Sequence, residues 1–364
     1  MTTKKSIDRL VGEWVRPQIR SLSPYHVPEA EGLIKLDAME NPYTWPPKLR
    51  EQWLRRLADA AVNRYPHPQA TAVKQSLRTV MKIPEQAELL LGNGSDELIQ
   101  MIAMTVGGPG RVVLSVDPGF VMYRMIAVFN GLEYIGVPLR PADFSLDIGA
   151  LMSAVEQHRP AVIFLAYPNN PTGNLFSESE LVQVIERAPG LVVIDEAYAP
   201  FTDASFLPRL GRYENLLVMR TVSKMGLAGL RLGLLAGPAE WLGEIDKTRL
   251  PYNINVLTQI SAVFAFEHQA LFDEQTRAIR EERKGLYRRL VQINGLQIFP
   301  SQANFILLRV PPERATEIHL GLRERGVLVK NLHGAHPSLA DCLRVTVGTP
   351  EENQSFLTAL EALI

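Results

Sequence analysis

The sequence predicts an α/β fold, with a large domain on a mostly parallel central sheet flanked by helices and a smaller α+β domain beside it. Three observations predict it. Short runs rich in Val, Ile and Leu alternate with amphipathic stretches, the order of strand-helix units. The centre of each run is apolar without alternation, as in strands buried on both faces. Near Pro251 the pattern changes to long helical stretches followed by short strands. A length of 364 residues also exceeds what one hydrophobic core usually supports, so two domains are expected.

The elements follow in order. The first 40 or so residues are punctuated by Pro17, Pro24 and Pro28 and are expected to pack on another unit rather than fold alone. Buried parallel strands are expected at 111–116, 161–167, 191–195, 215–221 and 234–237. Residues 120–128 carry apolar side chains at helical spacing, and Gly131 closes that helix. Ser177 and Glu180 have the spacing of a capping box before the apolar stretch 181–185. Residues 254–295 read as one or two long helices. Strands at 296–299 and 304–310, a helix at 313–325 and strands at 327–330 and 343–348 complete the small unit. The expected division is an arm over 1–44 that contributes to the small domain, a large domain over 45–250 and the small domain over 251–364. Trp14, Trp45, Trp53 and Trp241 are expected to be packing anchors.

Composition excludes several function classes. Lys and Arg number 38 against 39 Asp and Glu, so there is no electrostatic footprint for nucleic acid or an anionic membrane. No run of about 18 apolar residues could span a bilayer. Lys4 and Lys5 are not followed by the apolar stretch of a secretory signal. The single cysteine, Cys342, rules out an intramolecular disulfide and suits a packing position. His333 and His336 have no carboxylate or thiol at ligand spacing, so no metal site is expected. These features together predict a cytoplasmic protein.

Four segments carry chemistry. The turn Gly92-Asn93-Gly94-Ser95-Asp96-Glu97 feeds an apolar helical stretch and offers free N–H groups at a helix start. It lacks the third glycine of a dinucleotide fingerprint, so it suits one phosphate; a plain tight turn capped by Ser95 or Asp96 fits equally well. No Gly-Lys pair exists to make a Walker loop. Tyr167-Pro168-Asn169-Asn170-Pro171-Thr172-Gly173 ends a buried strand, where ligands of open α/β sheets sit. Asp195 directly follows an apolar strand and suits a cation or a helix cap. Lys224 follows another buried strand among small residues, and a desolvated lysine has a lowered pKa and forms Schiff bases. Pyridoxal phosphate needs this set: an amine for its aldehyde, an acid for its pyridine nitrogen and a helix start with cations or hydroxyls for its phosphate.

On these residues the chain resembles the fold-type-I pyridoxal-phosphate aminotransferases and, within them, the histidinol-phosphate aminotransferases. The matching stretches include 35–43, Arg64-Tyr65-Pro66-His67-Pro68, 92–99, 167–173, 195–198, 223–233, Gln302-Ala303-Asn304-Phe305 and 343–349, in the family's order over nearly the whole chain. The resemblance implies that Lys224 holds the cofactor, that Asp195 pairs with the pyridine nitrogen, and that Asn170 and Tyr198 bond the ring's phenolic oxygen. It further implies phosphate contacts from Gly94, Ser95, Asp96, Ser223 and Arg231, and ring stacking by Phe120, with Tyr123 the lesser candidate. Tyr65 would reach the phosphate in the neighbouring subunit of a homodimer. Arg344, helped by Asn170, would grip the substrate α-carboxylate, and Lys330, Tyr25 and Tyr252 would meet the substrate's own phosphate. The implied reaction is transamination between histidinol phosphate, or imidazole-acetol phosphate in the biosynthetic direction, and 2-oxoglutarate or glutamate. An aromatic-amino-acid aminotransferase and a threonine-phosphate decarboxylase are alternatives on the same scaffold; a non-catalytic binding protein fits poorly with intact Lys224 and Asp195. The chain departs from the pattern at Met39, where relatives have Asn, at Lys330, where many have Arg, and in a Lys224–Arg231 spacing one residue shorter than in many relatives.

Overall fold

The computed structural model describes residues 7–24 and 27–364. Among them the strands are β1 (Ile34–Leu36), β2 (Glu88–Gly92), β3 (Val112–Asp117), β4 (Glu133–Pro138), β5 (Val162–Ala166), β6 (Leu191–Asp195), β7 (Leu216–Thr221), β8 (Gly233–Gly237), β9 (Gln297–Ile298), β10 (Phe305–Arg309), β11 (Val327–Asn331) and β12 (Cys342–Thr346). They form one sheet in the order β2-β8-β7-β6-β5-β3-β4 and a second in the order β1-β11-β12-β10-β9.

The large sheet is buried on both faces because its central strands are apolar at every position. All residues of β5 and β6 are buried. With β7, their period of two sends Ile163, Leu165, Val192, Ile194 and Val218 into one core and Val162, Phe164, Leu191, Val193 and Leu217 into the other. Each fully buried aliphatic side chain contributes roughly 1.5–3 kcal/mol. Helices Ile148–His158 and Glu178–Arg187 cover the first face, and Ser95–Val106 and Val121–Phe129 the second.

Three local expectations need correction. Strand β8 is antiparallel to both β7 and β2, whereas 234–237 was expected to be parallel. The link over 222–232 carries only two 3₁₀ turns, and a parallel return needs a crossover of about a dozen or more residues. Ser177 does begin its helix but makes no capping bond; its hydroxyl lies 2.8 Å from that of Ser179. The capping box of this chain forms instead at Thr349 and Glu352. Finally, Trp14 is not an anchor: it is 78% exposed, on helix Ile7–Trp14, which buries none of its residues. Trp45 and Trp53, just beyond the arm, do pack, edge-on at 5.4 Å.

The small sheet joins both ends of the chain. Strand β1 runs parallel to β11, Ile34 opposite Val327 and Leu36 opposite Val329. The core beneath it combines Leu36, Ile306, Leu308, Val329 and Val345 with Ile279, Ile318 and Phe356 from three helices. Residues 254–295 form two helices, Val256–Glu267 and Gln269–Leu290. Cys342 is buried in β12.

Candidate active site

The carboxyl ends of the parallel strands converge on one cavity of about 110 Å³, whose walls include Ser95, Asp96, Phe120, Asn170, Asp195, Tyr198, Ser223, Lys224 and Arg231. Nine predicted site residues from five separate stretches thus meet in one place. A larger cleft, about 430 Å³, lies around Glu196 and Arg220 and contains none of them.

Lys224 sits in the 3₁₀ turn Ser223–Met225 directly after β7. Its Nζ donates to the Ala38 carbonyl at 3.2 Å. Burial, then the nearby Arg344 guanidinium, lowers its pKa to about 8. Asp195 ends β6, where burial raises its carboxyl to about 6 against the opposing pull of its hydrogen bonds. Its Oδ1 accepts from the Ala197 amide at 3.0 Å, and its Oδ2 from the Tyr123 hydroxyl at 2.7 Å. An amine with a lowered pKa and a buried carboxyl facing the same cavity can hold and relay a proton.

The opposite wall is an anion cradle. Gly94 precedes helix Ser95–Val106, whose N-cap makes no side-chain capping bond. Ser95 is therefore the first helical residue, not the cap. Gly94 has φ +85°, and a Cβ there would stand 2.5 Å from Arg231 Nη2. A Cβ on Gly233 would stand 2.8 Å from the Ser95 nitrogen, so Gly233 is needed for close backbone approach and Gly94 for its left-handed backbone. Arg231 adopts a left-handed φ of +48° after the turn Ala228–Leu230, which brings its guanidinium to 3.4 Å from Asp96 despite the short spacing from Lys224. Burial raises the Asp96 pKa. Ser223 completes this side, held by Thr221 through bonds to its hydroxyl at 2.9 Å and from its amide at 3.1 Å.

The small sheet closes the site. Arg344, buried in β12, donates from Nη1 to Asn170 Oδ1 at 2.6 Å and from Nη2 to the Asp37 carbonyl at 3.0 Å. Asn169, the other half of the Asn pair, serves the turn itself and donates to the Pro118 carbonyl and to Thr172. The arm supplies three consecutive contacts: the Asp37 carbonyl to Arg344, the Ala38 carbonyl to Lys224, and Met39, which lines the cavity with φ +53°. Sequence reasoning missed the roles of Ala38 and Tyr123, since a carbonyl acceptor leaves no side-chain signal. Tyr123 was visible only as a helical neighbour of Phe120.

Three predicted residues, Lys330, Tyr65 and Tyr252, lie elsewhere. Lys330 stands opposite Arg344 across the β11–β12 pair and is half-buried, outside the cavity walls. Tyr65 is 80% exposed and stacks on Tyr252 at 4.4 Å, away from the cavity of its own chain. Tyr25 falls outside the described residues. Among the described residues no cluster of three or more His, Cys, Asp or Glu could hold a metal, and no helix is long and apolar enough to cross a membrane.

The family model "Aminotransferase class I and II" matches residues 31–360. The chain belongs to the class I and II aminotransferases. Among curated relatives, the chain is 57% identical to histidinol-phosphate aminotransferase 2 of Nitrosococcus oceani, over 97% of this chain and 98% of the relative. It is 51% identical to histidinol-phosphate aminotransferase 2 of Cupriavidus pinatubonensis, over 97% of each. Among solved structures, a histidinol-phosphate aminotransferase from Sinorhizobium meliloti in complex with pyridoxal-5'-phosphate superposes with a TM-score of 0.85 at 24% identity, covering 95% of this aminotransferase and 96% of that chain. That likeness establishes the fold.

Proposed function

We propose that this aminotransferase uses pyridoxal phosphate to exchange an amino group between histidinol phosphate and 2-oxoglutarate, or in reverse between glutamate and imidazole-acetol phosphate. The observation that carries this reading is the half-buried Lys224 facing Asp195 across one cavity whose far wall is a glycine-floored anion cradle. The relatives that match over nearly its whole length bear the histidinol-phosphate name, and this favours that substrate over an aromatic amino acid or a threonine-phosphate decarboxylation.

The residues fit the cofactor. The space that a Cβ on Gly94 would fill, the N–H groups of Gly94 and Ser95, Ser223 and the Arg231 guanidinium suit its phosphate, with Asp96 orienting Arg231. Asp195 suits its ring nitrogen, Asn170 and Tyr198 its phenolic oxygen, and Phe120 its ring face. When bound, the cofactor supplies an electron sink for the substrate's α-carbon. Lys224 Nζ would hold the cofactor, and it would take the proton from the substrate's α-carbon and return it, its pKa lowered to about 8. Arg344 orients the α-carboxylate as a two-pronged donor, and its bond to Asn170 sets its direction. Lys330, one strand away, meets the substrate phosphate, with Tyr25 and Tyr252.

The same reading makes the protein a homodimer in which the partner subunit's Tyr65 reaches the cofactor phosphate. The exposure of Tyr65 on its own chain supports this. It places the activity in the cytoplasm, supported by one buried, unpaired Cys342. It divides the chain into an arm over 1–44, a large domain over 45–250 and a small domain over 251–364, supported by the second sheet and the core of Leu36, Ile306, Val345 and Phe356 beneath it, while Leu307 and Cys342 on that sheet's other face join the core of the large one. Helix Val256–Glu267 packs on Pro47–Ala58 and Thr71–Val80 and so ties the start of this small domain to the large one. The test is a half-reaction: histidinol phosphate added to the cofactor-loaded protein should convert its visible absorption to that of pyridoxamine phosphate. If only phenylalanine or tyrosine does so, the substrate is wrong; if no amine does, the aminotransferase reading of this site is wrong.

A further inference from the structure

Neither oxygen of Asp195 is loose. The Ala197 amide holds Oδ1 and the Tyr123 hydroxyl holds Oδ2. Tyr123 comes from a different element, the helix Val121–Phe129 that follows β3. Its ring is clamped: it stacks on Phe164 at 4.9 Å and 12° and meets Phe120 edge-on at 5.4 Å. With the ring fixed, the hydroxyl points at Oδ2. A phenol and a carboxylate, both fully buried, each carry a desolvation penalty, and their mutual bond at 2.7 Å offsets it.

We propose that Tyr123 is a positioning residue that fixes the plane of the Asp195 carboxylate toward the cofactor's ring nitrogen and keeps it ionised there. This rests on the reading of Asp195 given above. An acid free to rotate would meet an in-plane N–H in only part of its orientations, and binding would then have to order it; a pre-set acid avoids that cost. The hydroxyl also favours the charged carboxyl against burial. Phe120 meets both the cavity and the Tyr123 ring, so one helix start serves the ring face and the ring-nitrogen acid together.

The test is Tyr123→Phe, which removes one oxygen and keeps the ring packing. The apo-protein should still melt cooperatively, with a drop no larger than the loss of one hydrogen bond to a charged group accounts for. The dissociation constant for pyridoxal phosphate, from fluorescence titration of the apo-protein, should rise about tenfold, the weight of one hydrogen bond to a charged group. The acid limb of that binding should move to higher pH, because Asp195 without its donor protonates more readily. Asp96, Glu196, Tyr198, Lys224 and Arg231, the other ionisable groups around Asp195, are the same in both proteins and cancel in the comparison. An unchanged dissociation constant with an unchanged acid limb overturns the proposal, and so does a lowered melting temperature with unchanged affinity, which would leave Tyr123 a packing residue. Asp195→Asn run in parallel separates the two levels. If it binds the cofactor as tightly as wild type, the reading of Asp195 fails and takes the proposal with it. If it binds weakly while Tyr123→Phe does not, only the proposal for Tyr123 fails.

Discussion

Arg344 Nη1 donates to Asn170 Oδ1 at 2.6 Å, a bond that joins β12 of the small sheet to the turn that ends β5 of the large one. The guanidinium is thereby aimed before any carboxylate arrives. Arg344→Ala should raise KM for both the amino donor and the oxo acid by about two orders of magnitude, on roughly 1.5–3 kcal/mol for a charge-assisted bond, and leave cofactor affinity unchanged. Steady-state kinetics with each substrate varied in turn checks this; loss of cofactor instead of substrate affinity would contradict the assignment.

The partly desolvated Lys224 makes stability depend on pH. Its folded pKa is about 8 against an ordinary value of 10.5. Between those values the unfolded chain binds the proton and the folded chain does not, so apo-protein stability rises with pH across that window. Below pH 8 the buried cation costs on the order of 3 kcal/mol, since each tenfold loss of proton affinity is worth about 1.4 kcal/mol. Lys224→Met apo-protein should therefore resist urea better than wild type at pH 7, and the difference should close by about pH 10.5. The sign would be wrong if the variant were the less stable at neutral pH.

Asp195 acts in the acid range. Burial raises its pKa from 3.8 to about 6, so between these values the folded chain binds the proton and the unfolded chain does not. Apo-protein stability contributed by this group is present below about pH 4 and falls as pH rises to about 6. Urea titrations of wild type and Asp195→Ala at pH 4 and pH 7 should show the variant gaining relative stability at the higher pH.

Gly233 lies against the backbone of the anion cradle. A methyl group there meets the Gly94 carbonyl carbon and the Ser95 nitrogen, each at 2.8 Å, atoms that cannot move without moving the helix start. Gly233→Ala should lower stability by about 1–3 kcal/mol, the range for overpacking, and weaken pyridoxal phosphate more than it weakens stability. Calorimetry of the apo-protein and cofactor titration separate the two effects.

Lys330 tests the substrate. Lys330→Ala should raise KM for histidinol phosphate about tenfold or more while leaving any slow turnover of histidinol, which lacks the phosphate, unchanged. Equal losses on both would remove Lys330 from the phosphate site.

Much of this was legible in the sequence because strand ends carry the chemistry. Asp195, Asn170 and Lys224 each follow an apolar run, and a buried parallel strand delivers its next residue to the common edge. The helix start at Gly94 was legible for the same reason. The direction of β8 was not, since a run of Gly, Leu and Ala is equally apolar whichever way it points. Strand β4 was hidden by its place at the sheet's edge, where Gly136 and Pro138 interrupt the apolar pattern and most of the strand is only partly buried. Strand β2, with three consecutive leucines, reads as readily as helix. The Tyr123–Asp195 bond escaped because it joins residues from separate elements, and no local pattern encodes such a meeting.

Strand β1 has a consequence for how the protein is made. Its partner β11 emerges from the ribosome after nearly all the rest of the chain, about 15–60 s later at ordinary elongation rates of about 5–20 residues per second. Until then the arm has no sheet to join, and the carbonyls of Asp37 and Ala38 are not in place beside Arg344 and Lys224. The large sheet can assemble during synthesis, but the cradle around its reactive amine closes only at the end of translation. An unfinished chain would thus carry the catalytic lysine without the surroundings that make it useful.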